Sequence, residues 1–319
     1  MAKWRLRIIS AAPKLPNCQI ANQRPTVTLP SPPSASPAEA HRVTVLVVTY
    51  NSAHCLPALG RSLQGLPWVT VIDNASADGT LAQVQAHLPQ ARILQQARNL
   101  GFGAANNLGW QAATTEFVLL LNPDCICSAD AIAQLVRCAD AQPDASMVAP
   151  QLLGRRGEID ISYRWRADGW ASRGPGASGA CCVGFVSGAV MLIRRSALQR
   201  VQGFDEGFFL YYEDEDLCLR LLDQAGPIVV DPAAQVQHLS RGSVGGRRRW
   251  QAEYLRGLHH IQSKFRFRRK HLGRRATAAQ RLGYGLGAAA ETLLRLLLLD
   301  PRRAARSAGR VAGVLGYRG

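Results

Sequence analysis

Two acidic groups and one histidine carry the chemistry this sequence offers. Asn122, Pro123 and Asp124 follow an apolar run, Glu213, Asp214, Glu215 and Asp216 follow Tyr212, and His238 comes later. Carboxylates packed this closely repel one another unless a cation, a proton or water offsets the charge. Metal-assisted group transfer would give them a reason to stand beside apolar runs. A hard divalent cation prefers oxygen ligands, so one held by Asp124 would bridge the two phosphates of a nucleotide donor. The bland use of Asp124 is as N-cap of a helix starting near Ala129, a place Ser128 or Asp130 fills better. Four acids opening a helix also suit the helix dipole, which accounts for Glu215 or Asp216. The preceding Phe208, Phe209, Leu210, Tyr211 and Tyr212 should wall a cleft and raise a carboxylate's proton affinity, so one acid is a candidate general base. His238, in what reads as an ordinary strand, is either structural or a metal ligand.

These groups need elements to hold them. Residues 43–48 form a β-branched apolar run without alternation, which predicts a strand buried on both faces that ends in Thr49, Tyr50 and Asn51. A helix over 56–64 follows, then a strand over 69–72 that runs into Asp73 and Asn74, a helix over 80–87 and a strand over 92–95. Asn99 and Gly101 precede another helix, and a strand over 117–121 leads directly to Asn122. This alternation predicts an α/β fold with a mainly parallel sheet flanked by helices. Ligands of such sheets lie beyond the carboxyl ends of the strands, so Thr49, Asp73 and Asp124 should converge on one cleft. Asp73 could accept hydrogen bonds from a nucleobase or ribose, or simply make a turn with Asn74. The glycine-rich stretch 99–109 is either a phosphate cradle at a helix N-terminus or a tight turn; no Gly-Lys-Ser/Thr follows, so it is not a Walker A loop. Residues 182–222 should shape the acceptor side of the cleft.

The chain has 319 residues, 47% of them hydrophobic, and a net charge of +16. Residues 1–240 hold 19 basic and 19 acidic residues, whereas 241–319 hold 19 basic and 3 acidic, so the excess is C-terminal. There Arg247, Arg248, Arg249, Lys264, Arg266, Arg268, Arg269, Lys270, Arg274 and Arg275 interleave with Trp250, Tyr254, Phe265 and Phe267. Such a patch fits nucleic acid, anionic lipid or a solvated face. Residues 282–299 are apolar but interrupted by Glu291 and Arg295, and short of the roughly 20 residues a membrane span needs. Leu286, Ala290, Leu293, Leu294, Leu297 and Leu298 recur at helical spacing, as in an interfacial helix or a C-terminal bundle helix. Eight cysteines, two adjacent and two separated by one residue, read as reduced thiols rather than a disulfide framework. The proline-rich leader, residues 1–41, carries no secretory signal and should be dispensable for the fold.

Five ordered motifs resemble the inverting glycosyltransferases of family 2, in the rhamnosyltransferase-like branch of the GT-A superfamily. They are VTVLVVTYNS at 43–52, VIDNASADGT at 71–80, NLGFGAANNLG at 99–109, LLLNPD at 119–124, and the segment 186–221 containing YYEDED. The resemblance implies a GT-A type, Rossmann-like domain over 42–240 and a basic, partly helical C-terminal region over 241–319. It implies that Thr49, Tyr50, Asn51, Asp73 and Asn74 hold the nucleoside of a nucleotide-sugar donor, with Arg98, Asn99 and Gly101 near its diphosphate and sugar. Asp124 matches the last position of the metal-binding Asp-x-Asp, with Asn122 in place of the first Asp, and His238 falls where related enzymes place a metal-ligating histidine. Asp214 matches the catalytic base, with Glu213 orienting an acceptor hydroxyl or supporting Asp214. The cofactor implied is Mg²⁺ or Mn²⁺. The reaction implied is transfer of a sugar, rhamnose from dTDP-rhamnose, to a cell-surface polysaccharide or lipid-linked saccharide, with peripheral contact through residues 247–299 at the inner face of the cytoplasmic membrane and no nucleic-acid partner. Two other readings are a nucleotidyltransferase, whose basic signature loop TYNSAHC at 49–55 lacks, and a non-catalytic basic protein binding nucleic acid or membrane.

Overall fold

The computed structural model describes residues 37–164, 176–239, 249–273 and 277–317. The expected leader up to residue 36, and Arg247, Arg248, Arg274 and Arg275, lie outside them. After a helical turn α1 (Pro37–His41) the chain alternates β1 (Val43–Thr49), α2 (Leu56–Ser62), β2 (Val69–Asp73), α3 (Thr80–His87), β3 (Arg92–Gln95), α4 (Phe102–Ala112) and β4 (Phe117–Leu121). Then come β5 (Cys125–Ile126), α5 (Ala129–Ala141), β6 (Met147–Leu153), β7 (Ile159–Asp160), β8 (Tyr163–Arg164), β9 (Cys181–Val183), β10 (Phe185–Val186) and β11 (Val190–Arg194). Helices α6 (Arg195–Val201) and α7 (Glu213–Gln224) precede the long strand β12 (Ile228–His238).

The main sheet runs β3-β2-β1-β4-β11-β6-β12-β5. Strands β3, β2, β1, β4, β6 and β12 share one direction, while β11 lies antiparallel between β4 and β6 and β5 antiparallel on β12. The uninterrupted apolar runs have a structural cause. Val45, Val47, Leu119 and Leu121 face one core, and Leu46, Val118 and Leu120 face the other, so helices cover both sides of the sheet. Gly109 belongs to that packing, since a Cβ there would stand 2.8 Å from Leu46 Cδ1 and 2.9 Å from Ile72 Cδ1 and push α4 off the sheet. Ser128 caps α5, its side chain accepting from Ala131 N, which leaves Asp124 out of that role.

Three further helices, α8 (Arg249–Leu272), α9 (Ala278–Leu297) and α10 (Pro301–Gly316), form a C-terminal bundle. No helix among the described residues is long and apolar enough to cross a membrane. Six cysteines are free, five of them buried, as reduced thiols should be. Cys182, on β9, departs from that expectation and is disulfide-bonded.

Candidate active site

Parallel pairing of β1 with β2 sets Thr49 opposite Asp73 at the two strand ends. Both are fully buried, and Thr49 Oγ1 donates to Asp73 Oδ1 at 3.0 Å. The amide of Ser76 donates to the other oxygen, Oδ2, at 3.1 Å. The turn after β1 closes on the same loop. Asn51, at φ 53°, gives its amide to Ser76 Oγ and accepts the Ala77 amide on Oδ1. Tyr50 stands exposed beside it. Asn74 then joins the next loop, donating through Nδ2 to Asn99 Oδ1 (2.8 Å) and Gly101 O (3.2 Å) while Oδ1 accepts the Leu100 amide. Gly101 has φ 88°, and a Cβ on it would meet Phe209 O at 2.3 Å, so only glycine lets this loop lie against the 208–212 segment. The amides of Leu100, Gly101 and Phe102 bond to Asn74, Asn99 and Phe209, so this turn spends its donors on the protein rather than on a phosphate cradle. Arg98 is exposed.

Antiparallel pairing of β5 with β12 sets Cys125 opposite His238, which carries His238 across the 113 residues separating it in sequence to the side of Asp124. Asp124 is 3% exposed. Its Oδ1 has no hydrogen-bond partner among the described residues and lies 3.7 Å from His238 Nε2. Asp124, Cys125 and His238 bring their donor atoms within 4.8 Å of one another, a group able to hold a metal ion. The Cys125 thiol is turned to Ala189 O at 3.8 Å, and hard cations favour oxygen, which leaves Asp124 and His238 as the fitting pair. An unpartnered buried carboxylate oxygen costs about 1–3 kcal/mol or more, and a cation would remove that cost.

The four acids of α7 meet four different fates. Glu213 is 6% exposed and its Oε2 has no hydrogen-bond partner among the described residues. Burial, then the neighbouring Asp214 charge, holds its carboxyl well above the ordinary range. Asp214 is also raised by burial, against the pull of the Gly188 and Glu215 amides, which donate to its Oδ2 and Oδ1 at 3.1 and 2.9 Å. Glu215 is ion-paired with Arg164, which lies 4.0 Å from the Phe185 ring. Asp216, fully buried, pairs with Arg220, Lys270 and His271; burial would raise its carboxyl, but those partners bring it below the ordinary value. The turn leading into α7 is strained, with Tyr211 at φ 69° and Tyr212 at φ 68°, each costing about 1–3 kcal/mol. Helix α8 holds it: Ser263 Oγ donates to Leu210 O, the His260 ring meets Tyr211 edge-on and Tyr212 at a tilt, and Phe267 lies tilted against Tyr212.

One short stretch bonds to both the Asp214 segment and the Asn122 loop. Gly188 N reaches Asp214, and the next carbonyl, Ala189 O, accepts the Asn122 amide at 2.9 Å.

The Glycosyl transferase family 2 profile matches residues 44–202. The N-acetylglucosaminyl-diphospho-decaprenol L-rhamnosyltransferase of Mycobacterium tuberculosis is 30% identical over 246 residues, covering 63% of this chain and 77% of that protein. The chain belongs to glycosyltransferase family 2. The pre-mycofactocin glycosyltransferase of the same organism is 33% identical over 220 residues, 67% of this glycosyltransferase and 45% of that one. In fold it is similar to a mannosyltransferase from Pyrobaculum calidifontis solved with GDP-Man and Mn²⁺, at TM-score 0.55 and 19% identity over 92% of both chains. It is similar, too, to Staphylococcus aureus TarS, at TM-score 0.51 and 18% identity over 84% of this chain and 55% of that one.

The glycosyltransferase therefore brings Thr49, Asp73, Asn74, Asn99 and Gly101 into one hydrogen-bonded strip, and Asp124 and His238 into one pair. Asp214 is joined to the Asn122 loop through 188–189. Arg98 stands apart from these bonds, with no ion pair among the described residues. Sequence reasoning missed the Gly188 amide, although SGA at 187–189 marked a tight approach, and Arg164, which carries no local signal. It also missed Asp160, 3.7 Å from His238 Nδ1 on a two-residue strand that no periodicity reveals.

Proposed function

We propose that this glycosyltransferase works with inversion, moving rhamnose from a dTDP donor to a lipid-linked saccharide or growing cell-surface polysaccharide at the inner face of the cytoplasmic membrane. The observation that carries the reading is Asp214, a carboxylate fixed by two backbone amides and raised in proton affinity by burial, as a general base needs. Asp214 takes the proton of an acceptor hydroxyl as that oxygen bonds to the anomeric carbon. The bond from that carbon to the nucleoside diphosphate breaks in the same displacement, and its electron pair leaves with the diphosphate. Glu213, its proton affinity raised by burial, supports Asp214 or orients the acceptor hydroxyl. Thr49, Asp73 and the loops they brace receive the nucleoside. Asp124 and His238 would hold Mg²⁺ or Mn²⁺, which when bound supplies positive charge for the leaving diphosphate. The rhamnosyl donor and the lipid-linked acceptor are supported by what the mycobacterial relative is named for.

Slow hydrolysis of a nucleotide-sugar panel, with and without Mn²⁺ or Mg²⁺, tests this without a known acceptor. Metal-dependent release of dTDP from dTDP-rhamnose, weakened by Asp124→Ala, is the expected result. Release from a different nucleotide sugar would overturn the donor assignment. No release from any donor, with no nucleotide binding by calorimetry, would overturn the transferase reading.

A further inference from the structure

Helix α9 is built inside out for a protein in water. Its polar side chains face the bundle: Arg281 donates to Val314 O and Tyr317 O, and Glu291 accepts from Arg310 at 2.9 Å. Its leucines face away. Leu282, Leu286, Leu293 and Leu297 fall at i, i+4, i+11 and i+15 on one stripe, which continues into Leu298 and Leu299 at the turn, and their exposures run from 61% to 88%. Leu299, at φ 52°, makes that turn, and Pro301, Arg302 and Arg303 follow it exposed. Helices α8 and α10 run parallel, as the Glu253–Arg306 and Phe265–Tyr317 contacts show, so Trp250, 56% exposed, stands at the same end of the bundle as Arg302.

We infer that the leucine face of α9, with the Leu298–Arg303 turn, docks this enzyme on an anionic lipid bilayer. Leucines enter the acyl boundary while the arginines and Trp250 sit at headgroup level. Charge selects this occupant. Residues 241–319 hold 19 basic and 3 acidic residues, so a second copy on this face would meet like charge, whereas anionic headgroups complement it. The arrangement also fits the acceptor side of the cleft. Helix α8 shows His259, Ser263, Arg266 and Lys270 to the 205–216 segment, and Leu258, Ile261 and Phe265 to α9 and α10 on its opposite face. The strained turn before Asp214 therefore rests on α8, which packs on α10, and α10 packs in turn on the helix that meets the lipid. This inference rests on the reading of a lipid-linked acceptor, and its deciding measurement, vesicle binding, needs neither donor nor acceptor.

The full chain is sedimented with vesicles of phosphatidylglycerol and phosphatidylcholine, or of phosphatidylcholine alone, at low and high salt. The expected result is binding to the anionic vesicles that weakens in high salt and falls about tenfold or more without phosphatidylglycerol. Leu293→Glu with Leu297→Glu should lower binding to anionic vesicles about tenfold or more while melting temperature and donor hydrolysis stay as in the wild type. If that variant does not fold, Arg302→Gln with Arg303→Gln decides, with about a fivefold loss per arginine expected. Wild-type protein that leaves the vesicles in the supernatant would overturn the inference. So would a folded leucine variant that binds them as well as the wild type, or a lipid-free dimer that the leucine variant converts to monomer. Donor hydrolysis that fails while vesicle binding holds would count against the transferase reading alone.

Discussion

Replacing Glu213 with Gln should stabilise the fold, and by an amount that grows with pH. Glu213 is 6% exposed, its Oε2 lacks a partner among the described residues, and its carboxyl is raised well above 4.5, first by burial and then by Asp214. A carboxyl whose folded pKa exceeds its unfolded value stabilises the fold most below the unfolded value, and loses that contribution as pH rises toward the folded pKa. The wild type therefore gives up about 1.4 kcal/mol per pH unit across that window, a tenfold change in the folding constant per unit. Glutamine keeps the shape without the proton, so the stability gap between variant and wild type should open from about pH 4.5 with that slope. Urea unfolding of both proteins at half-unit steps from pH 4.5 to 8 measures it. Repeating the comparison in an Asp214→Asn background removes the neighbouring charge, and most of the slope should persist because burial is the larger cause. A gap that stays flat with pH in both backgrounds would mean that Glu213 is ionised and solvated in the fold, and the reasoning would be wrong.

Asp214→Asn should cut sugar transfer about 10²- to 10⁴-fold while donor affinity by calorimetry is preserved. In the wild type the acid limb of kcat/KM should lie above the ordinary aspartate value of 3.8, since burial raises the base that must lose its proton; a limb at or below that value would remove Asp214 from the role. Thr49→Val leaves Asp73 Oδ1 buried without its 3.0 Å donor and should cost about 1–3 kcal/mol, read as a lower unfolding midpoint together with weaker nucleotide binding. Lys270→Ala strips a cation 2.7 Å from both Asp205 and Asp216. Because Lys270 is 33% exposed, the loss in stability should be only about 1 kcal/mol, with faster amide exchange confined to residues 205–216 as the sign of its role.

Most of the α/β layer was legible because its signals are local. The strand over 43–48 that ends at Thr49, the turn at Asp73 and the helix at 80–87 all announce themselves through apolar runs and the polar residues that stop them. Position offered Ser128 or Asp130 as the cap of α5, and Ser128 takes it. The meeting of Asp124 and His238 was harder, since only the register of a two-residue strand carries His238 to Asp124. What residue type and spacing, without the family resemblance, could not separate was the acidic run. Four adjacent carboxylates look equivalent, yet Glu215 is claimed by Arg164 and Asp216 by Lys270 and His271, partners 51 to 55 residues away whose pairing depends on packing. The stretch 99–109 left a phosphate cradle and a tight turn both open. Its glycines suggest a phosphate cradle, but Gly101 is small because Phe209 lies against it, and Gly109 because the sheet does.

Helix α8 has two sets of neighbours, the 205–216 segment on one face and the C-terminal helices on the other. Residues on the first face bear on the turn that leads into Asp214 even though they lie outside the profile match that ends at residue 202. A chimera joining this enzyme's first 240 residues to the C-terminal region of a relative would therefore bring a stranger's side chains against Asp205, Leu210 and Asp216. Grafts between members of the family should respect a seam that treats 205–216 and α8 as one inherited piece.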